Sequence, residues 1–141
     1  MPEISLGRIW DESDDATVRV LVDRLWPRGV AKAAAPWQRW YPEVAPSTAL
    51  RRWLHANRSD YPVFCQRYRD ELTGPDQRRV LAVLREIVER RPLLLLTAAA
   101  QWRESHLPVI GEAIRGITAS GAGPGSPSAV GGADREPRRA R

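Results

Sequence analysis

Cysteine, histidine and lysine are nearly missing from these 141 residues, which hold one cysteine, two histidines and a single lysine, Lys32. Cys65 alone excludes an internal disulfide and any cysteine-based zinc site. His55 and His106 lie far apart and carry no carboxylate partner motif, which makes a metal centre a poor reading. The longest apolar run, Leu93 to Ala100, is broken by Thr97 and falls far short of the roughly 20 residues that span a bilayer. The N-terminus carries Glu3 and no basic start before an apolar stretch, so no signal peptide is expected. P-loop, GxSxG and HExxH patterns are all absent. Together these absences point to a cytoplasmic protein with no membrane contact and no metal, and they name no cofactor.

What is present is ordinary for a soluble domain: 43% hydrophobic and 28% charged residues. The length suits one domain with a real core. The net charge is +5. Residues 118–141 hold four arginines against two carboxylates, a net of +2, which leaves +3 for the first 117 residues. The body is therefore only mildly basic. Nearly all of that charge is arginine, which suits bidentate contacts to phosphate or carboxylate. Residues 118–141 are rich in Gly, Pro and Arg and hold no aromatic. Such a segment buries too little apolar surface to offset its ordering, so a disordered tail is expected after a domain of residues 1–117.

Ile4 to Trp10 and Thr17 to Asp23 read as strands around an acidic turn. Pro27 to Pro46 reads as loop, with a short helix near Ala34 to Trp40. Ser47 caps a helix that buries Leu50, Trp53 and Leu54. A second helix starts at Ser59 or Asp60 with the stripe Tyr61, Phe64, Cys65, Tyr68 and Leu72. Thr73-Gly74-Pro75-Asp76 reads as the capped start of a third, which buries Val80, Val83, Leu84, Ile87 and Val88 and is stopped by Pro92. Leu93 to Ala98 is the clearest strand, continuous and apolar like a buried parallel one. A last helix covers about Ser105 to Ile117, with Pro108 in its first turn. The order predicts an α/β fold: one compact domain with a small, mainly parallel sheet covered by about four helices.

Chemistry concentrates at three element ends. The richest is Asp23-Arg24-Leu25-Trp26-Pro27-Arg28-Gly29, where a strand ends abruptly in charge. Strand ends in α/β proteins open onto ligand crevices. Arg24 and Arg28 can grip an anion beside Trp26, and Gly29 lets backbone N–H groups approach it. Asp23 can orient an arginine, or act as acid or base if burial raises its pKa. The plainer reading is a buried Asp23–Arg24 pair that pins the loop, with Trp26 as core. Next comes Ser47 with Arg51 at a helix start, an anion site by its dipole or simply a cap. Third is the small-residue run Thr97-Ala98-Ala99-Ala100 leading to His106, a candidate acid or base or a capping histidine. His55 near a helix end reads as a dipole partner, and Cys65 as core.

The pieces Val20 to Gly29, Trp40, Ala45 to Trp53 and Phe64 to Leu72, with the late strand and His106, resemble the YeaO-like family, bacterial proteins carrying the domain of unknown function 488. The resemblance covers roughly residues 4 to 115. It implies a compact α/β domain and supplies no established reaction. Family members usually carry aromatic-Ala-Ala-Lys-Asp after the late strand and then His-Asn. Here Thr97-Ala98-Ala99-Ala100-Gln101 lacks the Lys-Asp, and Leu107 replaces the Asn. Where a further His-Asp commonly follows His55, this chain has Ala56-Asn57. If those polar groups do chemistry, binding without catalysis is the outcome.

Three functions compete. The favoured one is a crevice for a phosphate, nucleotide or carboxylate, held by Arg24, Trp26, Arg28, Gly29, Ser47 and Arg51, with Asp23 and His106 as acid or base if there is turnover. Nucleic-acid association would use Arg51, Arg52, Arg67, Arg69, Arg78, Arg79 and the basic tail, but acidic residues interleave along the same helices. An interaction module, including a homodimer, would use exposed tryptophans.

Overall fold

The computed structural model describes residues 3–121. Four strands form one sheet: β1 (Ile4–Arg8), β2 (Val18–Leu21), β3 (Arg39–Trp40) and β4 (Leu93–Thr97), in the order β1-β4-β2-β3. Every pairing is parallel. β4 is central, with Ile4 opposite Leu93 on one side and Val18 opposite Leu93 on the other. All five of its residues are buried, which is why it reads as an unbroken apolar run. The helices are α1 (Thr48–Ala56), α2 (Tyr61–Glu71), α3 (Pro75–Arg90) and α4 (Leu107–Gly121). The expected tail begins within the last turn of α4 and otherwise lies outside the described residues.

The two faces of the sheet are covered differently. Val18, Val20, Val22, Leu93 and Leu95 meet Leu50, Leu54, Phe64, Tyr68, Val80, Leu84, Ile110 and Ile114 in the main core. All four helices contribute to it. Leu21, Leu94, Leu96 and Ile9 face the other way, onto Trp37 with Trp26, Trp40 and Val30. Among the described residues no α-helix covers that side. Trp26 meets Trp37 and Trp40 edge-on at 5.0 and 5.3 Å, a favoured aromatic geometry. Arg19, the polar break in β2, fastens this cover: Nε donates to the Pro36 carbonyl and Nη2 to that of Ile9. Burial, partly offset by the Asp11 charge, lowers its pKa.

Three local expectations change. Pro27 to Pro46 holds β3 between single 3-10 turns at Lys32–Ala34 and Pro42–Val44, and no helix forms near Trp40. Gln38 N donates to Arg19 O and Tyr41 N to Leu21 O. A two-residue strand between prolines has no alternation to read. Thr73 does not cap α3. Its hydroxyl donates back to the Asp70 carbonyl, and Gly74 sits at the cap position with no side-chain bond. α4 begins at Leu107, with the His106 carbonyl accepting from Ile110 N. Among the described residues no helix is long and apolar enough to cross a membrane.

Candidate functional site

β2 and β4 are adjacent and parallel, so their C-terminal ends open on the same side, where ligands of parallel sheets bind. A cleft of about 460 Å³ lies there. The β2 end supplies Asp23, Arg24, Leu25, Trp26, Pro27 and Arg28 to its lining, and the β4 end supplies Thr97, Ala98 and Ala99. α1 adds Thr48, Arg51, Leu54 and His55. Thr48, Arg51 and His55 recur at three and seven residues, one stripe of a helix. His106, at the cap of α4, closes the ring of elements.

The floor is self-contained. Asp23 Oδ2 accepts from Ala98 N at 2.8 Å, which ties the two strand ends together. Oδ1 lies 3.2 Å from His106 Nε2. The same nitrogen is 3.1 Å from the Val22 carbonyl. Only one hydrogen sits on Nε2, and it points at Val22; Oδ1 therefore has the imidazole close by but no aligned hydrogen bond. Burial alone would push the Asp23 carboxyl up. The close His106 imidazole, with Ala98 N–H and Thr97, outweighs it and holds the pKa below the ordinary carboxylate value. Asp23 is thus a stable carboxylate, and the raised pKa that a general acid would need does not arise. Beneath it, Tyr68 is fully buried and donates to the Val44 carbonyl. Its pKa is raised, chiefly by that burial.

Arg24 faces the cleft, but its guanidinium is engaged: Nε donates to the Pro46 carbonyl at 3.1 Å and Nη2 to that of Ala45 at 3.0 Å. It pins the segment leading into α1. Trp26 also lines the cleft, with Nε1 donating to Val30 O at 2.6 Å. Gly29 lies outside the lining. Its φ of 81° places it in the left-handed region that favours glycine, so it shapes the turn after Arg28.

Ser47 also lies outside the lining. Its hydroxyl accepts from Leu50 N, the expected cap. Glu71, at the end of α2, then occupies the helix start: Ser47 N donates to Oε1 at 2.8 Å and Ser47 Oγ to Oε2 at 2.5 Å. The anion site expected there is filled by the protein's own carboxylate.

The rim differs. Arg28 and Arg51 are exposed and line the cleft, and neither side chain has a partner among the described residues. Arg58 joins them, with Nη1 reaching the Glu104 carbonyl at 3.3 Å. Sequence reasoning missed Arg58 and gave His55 only a capping role. The signal was available, because Arg51, His55 and Arg58 are spaced by four and seven. Among the described residues, no three His, Cys, Asp or Glu side chains gather to hold a metal ion.

Residues 3–130 match a family model described as the inactive DUF488-N3 subclade. The uncharacterized protein YeaO of Escherichia coli is 34% identical over 115 residues, 81% of this chain and 98% of its own. The uncharacterized proteins Rv3073c of Mycobacterium tuberculosis and Mb3100c of Mycobacterium bovis are each 33% identical over 114 residues, 80% of this chain and 94% of theirs. No solved structure matches the chain at a significant level.

Proposed function

The chain belongs to the YeaO-like DUF488 family, and from that premise we propose that it binds a small organic or inorganic anion in the cleft at the ends of β2 and β4 and does not turn it over. One observation carries this reading. Arg28 and Arg51, brought from two different segments, face one concavity with no protein partner among the described residues. Uncommitted guanidinium groups at a cleft are bidentate donors for phosphate or carboxylate. Arg58 adds charge beside them. Arg24 acts on the loop and not on the ligand.

Absence of turnover is supported by three things. The matched subclade is described as inactive. The Lys-Asp after the late strand is replaced by Ala100-Gln101. Asp23 and His106 are already engaged by backbone, Asp23 by Ala98 N–H and His106 by the Val22 carbonyl. A polyanion is less well matched than a small ligand. Three of the six arginines of α2 and α3 are answered locally, Arg69 by Glu112, Arg79 by Asp76 and Arg85 by Glu89.

A thermal-shift panel of phosphates and carboxylates tests the reading on the native chain and on Arg28→Ala. Ligand at about a hundred times its Kd stabilises the native chain by about 2.7 kcal/mol. That shift should be lost or sharply reduced in the variant. Equal shifts in both proteins, or none in either, would overturn it.

A further inference from the structure

We propose that the anion is an aryl acid, a ring-bearing phosphate or carboxylate whose apolar body lies in the cleft and whose acid group meets the rim arginines; this rests on the anion reading above. Asp23, Gln101 and Glu104 also stand in the lining, but most of the surface it exposes is apolar. Phe64 and Leu54 form buried wall, 1% and 5% exposed. Pro27, Ala45, Pro46, Ala98 and Ala99 add further apolar surface. Leu25 is 69% exposed and stands in this same lining. A single exposed leucine on an open surface calls for no explanation. One that shares the lining of a concavity with Leu54 and Phe64 is surface that an apolar ligand body would cover.

Size argues the same way. About 460 Å³ lies within the range of clefts that hold drug-sized molecules. An inorganic anion would leave most of it to water. A planar body is favoured because guanidinium groups bond acid oxygens in their plane and stack on aromatic rings with their faces. Arg28 and Arg51, free of protein partners, can do both.

Titration calorimetry on the full chain separates the outcomes. The probes are inorganic phosphate, 1-naphthyl phosphate, acetate, 1-naphthoate and the neutral 1-naphthol. The naphthyl acid should bind at least about tenfold more tightly than its ring-less counterpart, in whichever of the two acid series binds, because the ring buries apolar surface. Leu25→Asn, at an exposed position that does not threaten folding, should lower naphthyl acid affinity about threefold or more. Arg78→Ala, on the exposed face of α3 outside the cleft, should not. Equal affinity for ringed and ring-less acids overturns this inference and leaves the anion site standing. Equal affinity for 1-naphthol and the naphthyl acids overturns the anion reading itself. Binding of none of the five overturns both.

Discussion

The floor and the rim of one cleft are built on opposite plans. On the floor, Asp23, Thr97, Ser105 and His106 are directed at one another and at backbone. Asp23 takes Ala98 N–H, His106 takes Val22 O, and Ser105 Oγ accepts from Leu107 N while donating to Trp102 O. On the rim, Arg28, Arg51 and His55 point into solvent with no side-chain partner among the described residues. Buried polar groups cost free energy unless paired. The floor therefore answers to stability, and the rim is open to the anion proposed above. Floor substitutions should unfold the protein, whereas rim substitutions should spare the fold and remove binding.

The largest effect falls on Asp23. Asp23→Ala leaves Ala98 N–H without its acceptor and His106 without its carboxylate. Leaving a buried donor without its acceptor costs about 1–3 kcal/mol. Urea denaturation should show most of that loss. A loss under about 1 kcal/mol would mean that the floor is not held by this residue and would erase the contrast with the rim.

Acid should weaken the floor while leaving the rim arginines charged. The folded pKa of Asp23 is depressed. Its contribution is fully present above the unfolded carboxylate value of about 3.9. It is lost as pH falls below that value and through the folded pKa. Native and Asp23→Asn proteins should thus differ in stability above about pH 5, with the gap closing below about pH 4. A gap that widens on acidification would contradict the depressed pKa. Arginine rim groups do not titrate in this window.

How much of this was legible in the sequence follows from which interactions leave a sequence trace. β4, the helical stripes and the Ser47 cap were legible because apolar periodicity and capping chemistry are local. β3 was not, because it is two residues held by bonds to Arg19 and Leu21 across the sheet. The Asp23 to Arg28 segment announced a site by its charge. That Arg24 serves the loop and Arg28 faces solvent could not be read, since the partners of Arg24 are the carbonyls of Ala45 and Pro46. Carbonyls are carried by every residue. Glu71 at the start of α1 was equally hidden, 24 residues from Ser47.

Glu71 tests the boundary between the two plans. It lies beside the cleft-forming helix, yet it behaves like floor, a carboxylate at a helix N-terminus bonded to Ser47 N and Oγ. Glu71→Gln should cost about 1 kcal/mol through the lost charge at the dipole. Ser47→Ala removes the cap as well and should cost about 1–2 kcal/mol. Chemical denaturation of the two variants should rank them in that order. A neutral Glu71→Gln would mean that the carboxylate's charge adds nothing at the helix start.

The smallest stability effect belongs to the rim, and it carries the most functional weight. Arg28 and Arg51 are exposed and unpartnered among the described residues, so Arg28→Ala and Arg51→Ala should each change stability by no more than about 0.5 kcal/mol. Arg51 lies within α1, where alanine is also the better helix former, so Arg51→Ala should leave the fold at least as stable. The same substitutions should remove most of the thermal shift that an anion produces. The pairing of the two readouts is what discriminates. A rim arginine that proved destabilising would belong with the floor, engaged by the fold as Arg24 is. One that proved neutral to both stability and ligand shift would be ordinary solvated surface. Only neutrality in stability together with loss of the shift matches a side chain kept out of the fold's hydrogen bonding and held for a ligand.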